Sequence, residues 1–171
     1  MRTPLNISAV EKLTARHQVG KFRCGENKLD HPLRKYALQN QLADLSQTYV
    51  VHREYVVLGY YTLVYGAISL DEAAPQVVEG IRSPFPVPVM LLALWAVDKK
   101  EQGQGIGKAL LKDAFLRTEQ AADIGGLRAT LVDAIDDRMA KFYQDIGFSV
   151  CPVGVRKLMI SIADIRASLL P

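Results

Sequence analysis

The residues from Gln102 to Lys108 read Gln-Gly-Gln-Gly-Ile-Gly-Lys, three glycines in six positions followed by a cation. An apolar run precedes them and an amphipathic stretch follows. A helix N-terminus presents unpaired N–H groups and a partial positive charge. Glycines let a ligand approach that backbone with no Cβ in the way. Strand, glycine turn and helix together make an anion cradle, and phosphate is its usual guest. Two common cradles are excluded by spacing. A Walker A loop needs a glycine where Gln102 stands and Ser or Thr where Ala109 stands. A dinucleotide fingerprint needs a third glycine where Lys108 stands, and no acidic ribose partner sits on a convincing second strand. What remains is Q-x-x-G-x-G, read as Gln102, Gly105 and Gly107.

The elements that must position this loop are legible on either side of it. Leu91, Leu92, Leu94, Trp95 and Val97 form a near-continuous apolar run of strand length, as expected for a strand covered on both faces. Ile106, Leu110, Leu111, Ala114 and Phe115 keep helical spacing, with Lys112, Asp113, Arg117 and Glu119 facing water. Further out, the pattern predicts a short strand at Leu5–Val10 and a loop with a short helix over Lys12–Arg23. A helix capped by Asn27 or Asp30 should run to about Asp44, with Pro32 in its first turn. Thr48–Val51 and Tyr55–Ile68 read as antiparallel strands turning at His52-Arg53-Glu54. Gly59 within the second marks a bulge or a close backbone approach. The proline-rich stretch Leu70–Met90 reads as an ordered loop, suited to a substrate-side flap or a dimer contact. Gly125-Gly126 ends the long helix, and Arg128–Ala134 is the next strand. Asp136 caps a helix over Asp137–Asp145, stopped by Gly147. Phe148–Pro152 and Val155–Ile162 close the sheet, and Ala163–Leu170 forms a terminal helix or tail. The class is α/β with a mixed sheet.

At 171 residues the chain suits one domain, 1–171, with a real core. No apolar run approaches the roughly 18 residues of a membrane span, and Met1-Arg2-Thr3-Pro4 leads into no signal-peptide core. Cys24 and Cys151 are far apart and outside any CxxC, as expected of reduced cytosolic thiols. His17, His31 and His52 show no metal-ligand spacing, so no metal is expected. The net charge of +3 is unevenly spread. Met1–Arg53 carries nine Lys or Arg against four Asp or Glu, and the rest carries twelve against fourteen. That basic third is either a phosphate-contacting surface or an ordinary solvated face.

The Q-x-x-G-x-G loop resembles the acetyl-CoA pyrophosphate loop of the GNAT (Gcn5-related) N-acetyltransferases. The run from Leu94 to Phe115, then Leu131-Val132-Asp133-Ala134, then Lys141-Phe142-Tyr143 before Ile146-Gly147-Phe148, is similar to the GNAT toxins of bacterial type II toxin–antitoxin pairs. Phe22-Arg23-Cys24-Gly25, Leu29-Asp30 and Gly59-Tyr60-Tyr61-Thr62-Leu63 match that subfamily too. The resemblance spans nearly the whole chain.

It implies a GNAT fold: a mixed, mostly antiparallel central sheet with helices on both faces, whose central strands splay to admit the pantetheine arm. Acetyl-CoA would be the co-substrate. Backbone groups of Trp95, Ala96 and Val97 would hold its thioester and pantetheine amides, and those of Gln102, Gly103, Gln104, Gly105, Ile106, Gly107 and Lys108 its pyrophosphate. Lys108 either adds charge there or is a solvated first-turn lysine. Tyr143 stands at the place of the family's catalytic tyrosine. A phenol, with a pKa of about 10, stays protonated near pH 7 and can protonate a leaving thiolate; on composition alone it would be a packing residue. Glu101, Asp133 and Asp136 are the acids nearest the motifs, and none is an obvious base. Two positions depart from the subfamily: Leu94 replaces a usual arginine, and Asp136 replaces a frequent asparagine near the CoA phosphates. The implied function is a cytoplasmic toxin acetylating the α-amino group of aminoacyl-tRNA, with Arg23, Arg34, Lys35 and Lys141 on phosphates. A small ribbon-helix-helix antitoxin and a homodimer are the implied partners. A GNAT enzyme for a small amine or protein N-terminus, and a non-catalytic CoA-binding module, are the alternatives.

Overall fold

The structure, a computed structural model, describes residues 6–169. Among these, β1 (Glu11–Lys12), β2 (Gln47–Arg53), β3 (Val56–Ile68), β4 (Val87–Val97), β5 (Ala129–Asp133), β6 (Ser149–Cys151) and β7 (Gly154–Ser161) form one sheet in the order β1-β2-β3-β4-β5-β7-β6. The helices are α1 (Asn27–Lys35), α2 (Ala37–Leu42), α3 (Pro75–Val78), α4 (Ile106–Ile124), α5 (Asp137–Asp145) and α6 (Ile162–Leu169). The β1–β2, β2–β3, β5–β7 and β6–β7 pairs are antiparallel and β4–β5 is parallel, so the expected mixed, mostly antiparallel α/β fold is present. By internal contacts the chain divides into two compact units, Met1–Val64 with Ala93–Ala114 and Tyr65–Leu92 with Phe115–Pro171. No helix among the described residues is long and apolar enough to cross a membrane.

In the first unit, Leu13, Phe22, Leu33, Ala37, Val50, Val57, Tyr60 and Ala96 form the core. The β2–β3 hairpin turns at Glu54 and Tyr55, both left-handed (φ +49° and +68°), not at His52-Arg53-Glu54. Two left-handed residues give the mirror-image turn whose twist matches the flanking strands. They are not glycines, and Tyr55 is held by its neighbours: its N–H donates to His52 Nδ1 at 3.0 Å, its ring stacks on His52, and Arg16 lies 4.2 Å over that ring. The register skips Leu58 between Val51↔Gly59 and His52↔Val57, which is the bulge expected near Gly59. The close approach is there as well: a Cβ on Gly59 would lie 2.9 Å from Leu110 Cδ1 and 3.3 Å from Ala96 O.

Three local expectations fail in this unit. The first strand is Glu11–Lys12 and not Leu5–Val10, of which Leu5 lies outside the described residues. Ser8 does meet His52, but one of the two bonds uses the Ser8 hydroxyl, so no ladder forms there. The segment after β1 holds turns and no helix. The helix from Asn27 breaks at Tyr36 into α1 and α2, and Pro32 lies inside α1. Neither Asn27 nor Asp30 caps it. The buried Asp30 instead accepts the N–H of Cys24 at 2.8 Å, pinning the preceding loop.

In the second unit the core gathers Ala73, Ala74, Val77, Val87, Val89, Ala129, Leu131, Cys151 and Met159. The parallel register joins Val89–Leu91 to Ala129–Leu131 and covers three pairs of an eleven-residue strand. The stretch Leu70–Met90 is mostly loop, as expected, with two exceptions. Pro75 starts α3 at its first turn, where a missing N–H costs nothing, and β4 already begins at Val87. Pro88 is accommodated in that strand, exposed, with its carbonyl accepting Arg128 N–H at 2.9 Å. Arg128 also donates from Nε to Val77 O at 2.8 Å, which ties α3 down.

Candidate active site

The glycine loop is fixed by its flanks and left open at its centre. Asp98 ends β4 and caps a single 3-10 turn, Lys99–Glu101. Its Oδ1 accepts Lys100 N–H at 3.0 Å and its Oδ2 accepts Arg23 N–H at 3.1 Å. Lys99 N–H returns to Arg23 O at 2.7 Å. Glu101 receives Arg53 through both terminal guanidinium nitrogens, Nη1 and Nη2, at 2.7 and 3.4 Å, and the Gln104 amide at 3.0 Å. Gln102 donates from Nε2 to Val97 O and to Cys24 O at 3.0 and 3.1 Å. The motif glutamine therefore works as a brace between strand end, loop and N-terminal segment.

Gly103 and Gly105 are left-handed at φ +84° and +86°, and an added Cβ at either would meet nothing within 4 Å. They are glycines for their backbone angle, and the space above them is open. Gly105 O accepts Ala109 N–H at 3.1 Å, which starts α4. The first amides of that helix have no intrahelical acceptor, so the N–H groups of Ile106, Gly107 and Lys108 stand at its start with no partner inside the helix. Ile106 is buried and Lys108 is exposed. Trp95 supports this start: its Nε1–H donates to Gly107 O at 3.0 Å, and its ring lies 3.5 Å from where a Gly107 Cβ would be. Ala96 is buried and Val97 half-buried beside it. The structure thus brings together Trp95 to Val97 and Gln102 to Lys108.

Tyr143 and Asp136 belong to the second unit. Asp136 caps α5 as expected, Oδ1 accepting Met139 N–H at 2.8 Å. Tyr143 is buried at 6% exposure, with its ring 5.0 Å from that of Phe148, and its carbonyl accepts Phe148 N–H. Burial pushes the phenol pKa up, so the proton is firmly held. Each of the three acids nearest the motifs already has a partner. Hydrogen bonding from Arg53 holds the Glu101 carboxyl below its ordinary value. Asp133 pairs with Lys157 at 3.2 Å, and Asp136 is occupied as a cap. Among the expected phosphate contacts, Arg23, Lys35 and Lys141 are exposed, while Arg34 is half-buried with Nε 3.4 Å from Asp30 O.

Folding also brings together what sequence spacing keeps apart: Glu11 Oε1 meets His17 Nε2 at 2.8 Å and His52 Nε2 at 2.6 Å. The three resemble a metal-ligand set, but the donor chemistry is wrong for one. Nδ1 of His17 accepts Thr14 N–H and Nδ1 of His52 accepts Tyr55 N–H. Backbone amides only donate, so in each neutral ring the proton sits on Nε2. Those nitrogens have no lone pair to offer a metal, and both donate to Glu11.

A family profile described as an acetyltransferase (GNAT) domain matches residues 44–150, well over half of the chain. The chain belongs to the GNAT acetyltransferase family. A tRNA-acetylating toxin of Mycobacterium tuberculosis (strain ATCC 25618 / H37Rv) is 41% identical over 160 residues, covering 94% of this chain and 95% of that protein. A mutant AtaT toxin bound to the C-terminus of the antitoxin AtaR and acetyl-CoA has a TM-score of 0.80 at 25% identity, over 97% of this chain and 99% of that one. AtaT complexed with acetyl-methionyl-tRNAfMet has a TM-score of 0.86 at 24% identity, over 96% and 99%, a likeness of fold.

Residues beyond the motif shape the glycine turn of this chain. Asp98, Arg53 and Glu101 set the turn that delivers the glycines. The one sequence signal for them was the polar break Asp98–Glu101 itself. Arg53 lies 48 positions from Glu101, and nothing local links the two.

Proposed function

We propose that this protein is a toxin that uses acetyl-CoA to acetylate the α-amino group of an aminoacyl-tRNA, which blocks translation. The observation that carries the reading is the 41% identity, over nearly the full length of both chains, to a tRNA-acetylating toxin. The open cradle at Gly103–Lys108 and the complexes of AtaT with acetyl-CoA and with acetyl-methionyl-tRNAfMet support it. Acetyl-CoA supplies the activated acetyl group. The amides at the start of α4 hold its pyrophosphate, and the β4 backbone from Trp95 to Val97 takes the pantetheine amides and the thioester carbonyl. The substrate's neutral amine attacks the carbonyl carbon, the C–S bond breaks, and Tyr143 gives its phenolic proton to the departing sulfur. The amine loses its extra proton to solvent, and solvent returns one to Tyr143. A dedicated base is dispensable because an α-amine titrates near about 7.7–8.0, whereas a lysine side chain, near about 10.4, stays protonated.

On this reading Arg23, Arg34, Lys35 and Lys141 lie against tRNA phosphates, and Asp136 lies near those of the donor. The protein works in the cytoplasm as a homodimer and is silenced by a small ribbon-helix-helix antitoxin. The antitoxin is supported by the AtaT–AtaR complex; the dimer and the ribbon-helix-helix type rest on family resemblance. The test is labelled acetyl-CoA with a pool of charged tRNAs. Wild type should place label on aminoacyl-tRNA. Tyr143→Phe should lower kcat by about 10²–10⁴ with acetyl-CoA binding retained. Absence of label with wild type, acetyl-CoA still binding, removes this reading and directs the search to small amines and peptides.

A further inference from the structure

A second cationic feature lies beside the cradle, and the donor's pyrophosphate does not require it. The loop Gly20–Arg23 and the turn at Asp98–Lys100 enclose an open cavity of about 440 Å³ lined by Gly20, Lys21, Arg23, Asp98, Lys99 and Lys100. All four cations are exposed. None of them enters an ion pair among the described residues. The single acid in the lining does not neutralise them through contact. Both oxygens of Asp98 accept backbone N–H groups, those of Lys100 and Arg23. The same carboxylate thus ties the two segments together and leaves four side-chain charges facing solvent. Four cations lining one opening attract an anion that enters it.

We propose that this lip is a binding surface for the phosphodiester backbone of RNA, which rests on the tRNA reading above and names where part of that substrate is gripped. The chemistry favours a polyanion. The cations sit on two separate segments, on long exposed side chains around an open cavity, and not in a buried pocket shaped to one phosphate. That arrangement suits sequence-independent positioning of a strand, the role phosphate contacts take in nucleic-acid recognition. The donor's pyrophosphate already has the amides at the start of α4.

The test is fluorescence anisotropy with labelled, deacylated tRNA over about 50 to 200 mM NaCl, beside calorimetry with acetyl-CoA. The variants are Lys99→Gln/Lys100→Gln and Lys21→Gln/Arg23→Gln, with the exposed Lys112→Gln on α4 as control. Each double variant should weaken tRNA binding and flatten the slope of log affinity against log salt by about 0.7–0.9 for every phosphate that is no longer neutralised. Lys112→Gln should change neither, and the acetyl-CoA Kd should hold throughout. Unchanged slopes in both double variants overturn the proposal while leaving the tRNA reading intact if acetyl transfer to aminoacyl-tRNA persists. A weaker acetyl-CoA Kd with unaltered tRNA binding assigns the lip to the nucleotide's own phosphates and also overturns it. Salt-sensitive tRNA binding without acetyl transfer would sink the enzymatic reading alone.

Discussion

A few side chains fix the shape of the glycine turn, and most of them act on backbone. Gln102 spans two carbonyls, Asp98 two amides, and Trp95 holds a first-turn carbonyl of α4. The three motif positions were legible because glycine and glutamine at fixed spacing have few other uses. Their supports were not, since a hydrogen bond to a carbonyl 78 positions away leaves no local trace. Gly59 shows the same limit from the other side. A glycine in a strand signals either a bulge or a close approach, and here it does both. Its missing Cβ lets Ile106 and Leu110 seat against β3. Gly59→Ala should therefore cost about 1–3 kcal/mol in urea unfolding. It should also weaken acetyl-CoA binding, because the displaced residues lie in the first turns of α4. Unaltered stability would mean that Leu110 rotates away freely.

At the level of elements, periodicity placed the long helix, α5 and the closing strands to within a residue or two. It failed where a rule of thumb met a local exception. Pro84 and Pro86 lie in loop as read, yet Pro75 opens a helix and Pro88 sits exposed within β4. Asp30 read as a cap, yet it is buried on a loop amide. The hairpin held by Glu11, His17 and His52 could not be inferred from spacings of 6 and 41. Its chemistry gives a pH dependence. The hydrogen bond from His17, and then that from His52, hold the Glu11 carboxyl below its ordinary value. The stabilisation from the ionised form is thus complete above the unfolded value of about 4.3 and is lost as pH falls through the lower folded value. Between about pH 5 and pH 3, Tm should fall less steeply for Glu11→Gln than for wild type. Parallel curves would show that the carboxylate carries no such linkage.

For the whole chain, length and composition pointed to one domain, and the packing divides it in two. The divisions fall inside β3, β4 and α4. A backbone that is continuous across each boundary gives neither unit a natural edge, so we expect a single folding unit. Fluorescence of Trp95, the one tryptophan, reports on the first unit, and far-ultraviolet circular dichroism reports on helices of both. The two thermal transitions should coincide; separate midpoints would refute the single domain. The charge asymmetry was also legible from sequence. Its sharpest expression was not, because Lys21 and Arg23 join Lys99 and Lys100 only through the fold.

Gln102 has one more consequence, in the order of events during synthesis. The loop takes its shape from Cys24 and Arg23, made some 75 residues before Asp98 and Gln102. The N-terminal partner must wait on the ribosome, unpaired, until the strand and turn that complete it emerge. Closing so long a stretch of chain is entropically costly and slow. The glycine turn therefore takes its shape only once β4 and the turn itself have been made, and a nascent chain ending before Asp98 lacks the side chains that fix Arg23 and Cys24.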